Sequence, residues 1–238
     1  METCEFDKLF VIRVLHIHEK IFFSLDYNSF KNCQKVCKSW HNMLTSESSL
    51  RWRKSVFREA IQEELISAIF NGQTEVVRET LSNEMIEVDF LIQDKSRLWL
   101  YTPLWLAAAM RNEDIVQLLL DAGAEPDKLD TNHKAPAIWV ASTIGHLGLI
   151  KALLGGGANP NIMESKCRTT ALHVASNNGY VDVAKLLLNA GSDPNLRDFD
   201  GRTPLSYALT EVNIQKGEER KERKKEIANI LRQNGGTQ

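Results

Sequence analysis

Cys33, Cys37 and His41 stand at intervals of four, so a helix through them lines two thiols and an imidazole along one face. Those are metal-ligand types, and a zinc site is the chemistry they could seed. The pattern stops short of one. Zinc sites are usually built from C-x2–4-C pairs with matching partners elsewhere, and the other two of the four cysteines, Cys4 and Cys167, stand alone. Small thiols buried in a helix are the simpler reading. His16 and His18 are two apart, so on a helix they point to different sides. Gly155-Gly156-Gly157 is a glycine run of the kind that can cradle phosphate, but it directly follows Leu153-Leu154 at the end of an apolar helical stripe, where it reads as a helix stop. The chain carries no G-x-S-x-G, no Walker A run and no H-E-x-x-H. No catalytic residue, cofactor or metal is assigned, and an enzyme is not expected.

Bulk composition narrows the remaining classes. The 238 residues are 43% hydrophobic, enough for a packed core, and the net charge of −2 implies no strong pull toward nucleic acid or anionic membrane. The basic run 216–225 sets six Lys/Arg against three Glu, with Glu219 and Arg223 at i,i+4. That is the pattern of a solvated helix rather than a nucleic-acid patch. The start Met1-Glu2-Thr3-Cys4-Glu5 is acidic and has no secretory pattern, and no apolar run approaches the ~18 residues that span a bilayer. Reduced cysteines and a cytoplasmic or nuclear location are expected.

The elements that would position any site repeat themselves. Thr102-Pro103-Leu104-Trp105-Leu106-Ala107-Ala108 is answered by Pro136-Ala137-Ile138-Trp139-Val140-Ala141, by Thr170-Ala171-Leu172-His173-Val174-Ala175 and by Thr203-Pro204-Leu205-Ser206-Tyr207-Ala208. The starts at 102, 136, 170 and 203 are spaced 34, 34 and 33. Gly123, Gly157 and Gly191 keep the same beat, as do Leu120, Leu154 and Leu188, and Pro126, Pro160 and Pro194. Thr102 suits an N-cap and Pro103 the first helical position, where its missing N–H costs nothing. Gly145 and Gly179 stop the first helix of a unit, and Ile115, Val116, Leu118, Leu119 and Leu120 form the stripe of a second. Gly191-Ser192-Asp193-Pro194-Asn195 and Asp198-Phe199-Asp200-Gly201 are turn chemistry for a short hairpin to the next unit.

A period near 33 with a T-P-L-H-x-A core resembles the ankyrin repeat. The resemblance covers about 61–238 and implies an all-α solenoid of about five helix pairs with short β-hairpin loops. The repeats divide as 59–94 (a capping repeat), 95–128, 129–162, 163–195 and 196–238 (a C-terminal cap). The join before Thr102 is several residues too long and apolar at Leu98-Trp99-Leu100-Tyr101. The last repeat carries 11 extra residues, since Gly235 lies 32 residues after Thr203 where 21 are expected. The insertion falls around 216–225 and is expected to be a solvated helix extension without a core role. Its pattern resumes at Ile227, Ile230 and Leu231.

The first sixty residues differ. No glycine precedes Gly72 and no proline precedes Pro103. Residues 1–8 read as a tail, and 9–58 as three short helices: one near His16 to Leu25, one from about Ser29 with Cys33, Val36, Cys37 and Trp40, and one around Leu50, Trp52, Val56 and Phe57. Lys20-Ile21-Phe22-Phe23-Ser24-Leu25-Asp26, Val36-Cys37-Lys38-Ser39-Trp40 and Leu50-Arg51-Trp52-Arg53 resemble the F-box. The F-box usually opens with Leu-Pro. Here Arg13-Val14 stands in that place, which either weakens the family's adaptor contact or passes it to Val14 and Leu15. The resemblance implies docking of a Skp-family adaptor of a cullin–RING ubiquitin ligase through Leu15, Ile17, Ile21, Leu25, Val36 and Trp40.

The ankyrin resemblance likewise implies a partner-binding face made of hairpin tips and the open side of the first helices. Carried over, its positions are Trp99, Tyr101, Met110, His133, Thr143, Lys166, Asn177, Asn178, Phe199 and Arg202. Trp99 and Tyr101 have a second reading, burial under the irregular loop. Trp105 and Trp139 take the family's inward histidine position and read as packing, while His146 and His173 read as structural. Two functions follow: a substrate-recognition subunit of a Skp–cullin–F-box ligase, whose repeats hold a protein substrate, or an ankyrin scaffold whose N-terminus is a helical cap. Neither needs nucleic acid, membrane or cofactor.

Overall fold

A computed structural model of the chain describes residues 61–82, 86–93, 100–129, 135–210 and 218–237. The chain divides into two units, Met1–Arg58 and Glu59–Gln238, and the described residues all belong to the second. The three helices expected over 9–58 lie outside the described residues, as do Cys33, Cys37 and His41.

In the second unit, helices come in pairs. Helix α1 spans 61–70 and α2 Thr74–Leu81. Strands β1 (Ile92–Gln93) and β2 (Leu100–Tyr101) follow. Then come α3 (Pro103–Ala109) with α4 (Glu113–Asp121), α5 (Ala137–Ile144) with α6 (Leu147–Gly155), α7 (Ala171–Asn178) with α8 (Val181–Asn189), and α9 (Pro204–Leu209) with α10 (Glu218–Gln233). First helices pack on first helices of the next pair, and second on second. Leu104, Ile138 and Leu172 from the first helices, and Ile115, Leu149, Ile150, Leu187 and Ile227 from the second, are fully buried in one continuous core. Each such side chain stabilises the stack by about 1.5–3 kcal/mol.

The repeated letters make the local structure expected of them. The Thr102 hydroxyl accepts from Trp105 N–H (3.1 Å), and Thr170 and Thr203 form capping boxes with His173 and Ser206. Asn112 and His146 cap α4 and α6 by accepting from Ile115 N–H (3.0 Å) and Leu149 N–H (3.2 Å). Gly145 and Gly179 end α5 and α7 at φ 75° and 77°. Arg111 holds the same place after α3 at φ 60°, a strained choice for a side chain with a Cβ.

Two ties run between repeats at the histidine position. His173 is fully buried, and Thr170 N–H donates to its Nδ1 (3.1 Å), which leaves the proton on Nε2. Nε2 then donates to the Arg202 carbonyl (3.1 Å) in the next loop. Trp139 makes the corresponding link through Nε1 to the Thr169 hydroxyl (3.0 Å). Trp105 instead stacks on Tyr101 with centroids 5.4 Å apart, and its buried Nε1 finds no partner among the described residues.

Two expectations need correction. Hairpins were expected between all pairs, yet among the described residues the one two-stranded sheet is β1–β2, with Ile92 opposite Tyr101 and Gln93 opposite Leu100. The overlong apolar join thus supplies the strands, because it has residues to spare for a ladder. The tighter loops form no ladder, and are bridged at their base by Glu164 N–H to the Thr169 carbonyl and by Asp198 N–H to the Arg202 carbonyl (both 2.9 Å). The second correction concerns the insertion. Its described part is helical, as expected, but it is not merely solvated: Lys224 is buried and bonds Thr210 of its own repeat, and Arg220 is half-buried and bonds Asn177 of the preceding one.

Arg111→Gly should raise stability by about 0.5–1 kcal/mol, since the relief of left-handed strain exceeds the added unfolded-state entropy. Gly145→Ala should lower it by about 1–3 kcal/mol, through strain and a new methyl. That methyl would lie 2.7 Å from the Tyr180 ring. Urea unfolding of the two variants gives both signs.

Candidate partner-binding surface

The loop tips are built on buried carboxylates. Glu164 and Asp198 occupy the same place in successive repeats, 34 residues apart. Glu164 accepts from Lys166 N–H (2.7 Å) and Cys167 N–H (2.8 Å). Asp198 accepts from Asp200 N–H (2.9 Å), Arg202 N–H (2.8 Å), Arg202 Nε (2.9 Å) and the Tyr207 hydroxyl (2.7 Å). A buried carboxylate that gathers backbone donors fixes a loop as a metal ion would, without the metal. The two tips are joined to each other by Phe199 N–H donating to the Cys167 carbonyl (2.9 Å).

Electrostatics at the last tip are internally balanced. Burial pushes the Asp198 carboxyl up, but the Tyr207 and Arg202 hydrogen bonds outweigh it and hold its pKa below the ordinary value. Burial, reinforced by the bond to Asp198, raises the Tyr207 phenol to about 12. The His173 pKa is lowered, chiefly by burial and against the pull of the Arg202 carbonyl, so the ring stays neutral at pH 7. His173 meets Tyr207 edge-on at 5.4 Å, and the Arg202 guanidinium lies 4.9 Å from the Tyr207 ring centroid.

On this frame the residues carried over from the resemblance fall into distinct groups. Phe199 is 77% exposed at the tip, with Lys166 and Cys167 exposed beside it. Met110 is 42% exposed at the end of α3. Thr143 is exposed, and its hydroxyl donates back to the Trp139 carbonyl (3.0 Å). Tyr101 is half-buried in its stack with Trp105. Arg202 is exposed but engaged by Asp198 (2.9 Å), Asp200 (2.7 Å) and Tyr207 (3.1 Å), so it braces the loop. Asn177 and Asn178 are half-buried, and Arg220 reaches both. Trp99 and His133 lie outside the described residues, as do Leu15, Ile17, Ile21, Leu25, Val36 and Trp40.

Glu164, Asp198 and Tyr207 carry the tips and were not singled out in the sequence. For the two carboxylates a signal was present: an acidic residue recurs at Asp130, Glu164 and Asp198 on the repeat period. Exposed Phe70 (65%) had no such periodic mark. Among the described residues, no His, Cys, Asp and Glu side chains are grouped to hold a metal, and no helix is long and apolar enough to cross a membrane. Rigid polar loops that present one large apolar side chain suit recognition of another protein.

A family model described as ankyrin repeats (3 copies) matches residues 59–130 and 137–235. The chain is also similar to F-box/SPRY domain-containing protein 1 of Drosophila grimshawi and of Drosophila willistoni, each 32% identical over 65 residues, and of Drosophila virilis, 29% identical over 65. Each match covers 26% of this chain and 26% of the relative, so the chain spans about a quarter of the length of these relatives.

Tyr207 gives the tip a pH signature. Its raised pKa means that its contribution is fully present below the ordinary phenol value of 10.0 and is lost as pH rises toward about 12. Ultraviolet titration should find one tyrosine ionising late, and Tyr207→Phe should remove that late step. For Asp198, whose pKa is depressed, the contribution holds above the ordinary carboxylate value of 3.8 and fades as pH falls below it.

Proposed function

Because the chain belongs to the ankyrin-repeat family, we propose that it is a receptor for a protein partner, and that it delivers this partner to a Skp–cullin–F-box ubiquitin ligase in the cytosol or nucleus. The observation that carries the receptor half is the exposed Phe199 on a tip locked by Asp198 and bonded to the neighbouring tip at Cys167. A rigid aromatic anchor loses little entropy on binding, which is why such residues dominate interface energetics.

The ligase half rests on residues 9–58. The phrases Ile21-Phe22 and Val36-Cys37-Lys38-Ser39-Trp40 resemble the F-box, and the similarity to proteins named for an F-box supports the reading. In this reading Leu15, Ile17, Ile21, Leu25, Val36 and Trp40 dock a Skp-family adaptor. The protein supplies no catalytic group. It raises the effective concentration of a partner's lysine beside a ubiquitin-charged enzyme.

The test is co-purification of the full chain with a Skp-family adaptor. Wild type should hold the adaptor at micromolar concentration, and Val36→Ala with Trp40→Ala should lose it. Phe199→Ala should leave adaptor binding intact while weakening capture of the partner at least tenfold. A wild-type chain that ignores every adaptor yet captures a partner through Phe199 would overturn the ligase half and leave a scaffold.

A further inference from the structure

The start of α10 lies against the turn between α7 and α8, and two of its cations, Arg220 and Lys224, end on helix carbonyls. Arg220 donates to the Asn177 carbonyl (2.8 Å) and reaches Asn178 Oδ1 (3.5 Å), at the last turn of α7. Lys224 donates to the Thr210 carbonyl (3.1 Å) and hydroxyl (2.8 Å), at the C-cap of α9. The last four carbonyls of a helix lack partners within it, and that end carries partial negative charge. Arg220 and Lys224, one turn apart on α10, therefore serve the C-terminal ends of two successive first helices.

Other turns are covered differently. A methyl built on Gly72 would lie 3.6 Å from Asn112, and one on Gly145 would lie 2.7 Å from the Tyr180 ring. Asn112 and Tyr180 are N-cap residues of second helices further along the stack. On Gly179 the cover is α10 itself, 3.5 Å away at Arg223 Cβ and 3.6 Å at Arg220 Cγ. Lys185 and Glu226 add a surface ion pair at 3.0 Å across the same seam.

We propose that residues 218–226 are a strap: Arg220 and Lys224 fasten α10 to the ends of α7 and α9, and the strap withdraws Asn177 and Asn178 from the partner-binding surface. Only the second clause rests on the receptor reading above. Among the described residues, the partner's footprint is then confined to Met110, Thr143 and the tips at Lys166, Cys167 and Phe199, and the inserted turns set its limit.

The strap can be tested without any partner. Arg220→Met keeps the stem that packs on Gly179 and removes the guanidinium. Hydrogen exchange should accelerate about tenfold at the Gly179 and Tyr180 amides, which bond the Ala175 carbonyl, and stay unchanged at the Asn112 amide. Peptide-resolved alkylation of the thiol introduced by Asn178→Cys should run slower than that of exposed Cys167, and should approach the Cys167 rate when Arg220→Met is added. Lys224→Met, which removes a buried charge without opening a cavity, should speed exchange at the Thr210 amide by a similar factor. Unchanged exchange at Gly179, Tyr180 and Thr210, or an introduced thiol that reacts as fast as Cys167 with Arg220 in place, would overturn the proposal.

Discussion

Each helix pair depends on a neighbour for a hydrogen bond it cannot make alone. Asp89 accepts from Glu125 N–H (3.1 Å), Asp127 from Asn159 N–H (2.9 Å), Asn161 from Asp193 N–H (2.7 Å) and Asn195 from Thr237 N–H (2.8 Å). Asn161 and Asn195 return a second bond from Nδ2 to the carbonyls of Gly191 and Gly235 (both 3.0 Å). These rungs pin the turn after one second helix to the loop of the repeat before it. Apolar burial drives stacking but is indifferent to register. The short polar side chain fixes the register, because it spans the gap at one spacing only.

That register is what lets the tips be both exposed and rigid. A loop tip in water normally moves, since few contacts oppose its entropy. Here Asp198 collects four donors, and Cys167 and Phe199 share a backbone bond across repeats. His173 links the same loop to the core through the Arg202 carbonyl. The side chain left over from this bonding is Phe199. Its exposure comes from a loop whose polar groups are satisfied, not from a poorly packed one.

Much of this was legible in the letters. The beat of Thr102, Thr170 and Thr203 gave the first helices, and Leu120, Leu154 and Leu188 the second, because apolar and capping positions repeat with the structure they build. The candidate surface was legible in part. Phe199 and Met110 are exposed at the expected places, but Arg202 is turned to Asp198, and Tyr101 to Trp105. A sequence gives the type of a side chain and its place in the repeat. It does not say which neighbour claims the side chain's hydrogen bonds. Arg111 and Arg168, at φ 60° and 58°, were hidden for a related reason: the repeat imposes the left-handed turn whether or not the local residue favours it.

The partial burial of the insertion follows the same physics. A helix rich in Glu, Lys and Arg, with no apolar stripe, is normally solvated, because burying an ion costs several kcal/mol unless something opposes the charge. What opposes it here is backbone. The carbonyls of Asn177 and Thr210 belong to residues whose names carry no negative charge, so no pattern of side chains could reveal them. Burial lowers the Lys224 pKa, and the neighbouring Arg220 charge adds to the effect. Helix ends bind the strap at one geometry, and so the strap reports the stacking of α7 on α9 instead of overriding it.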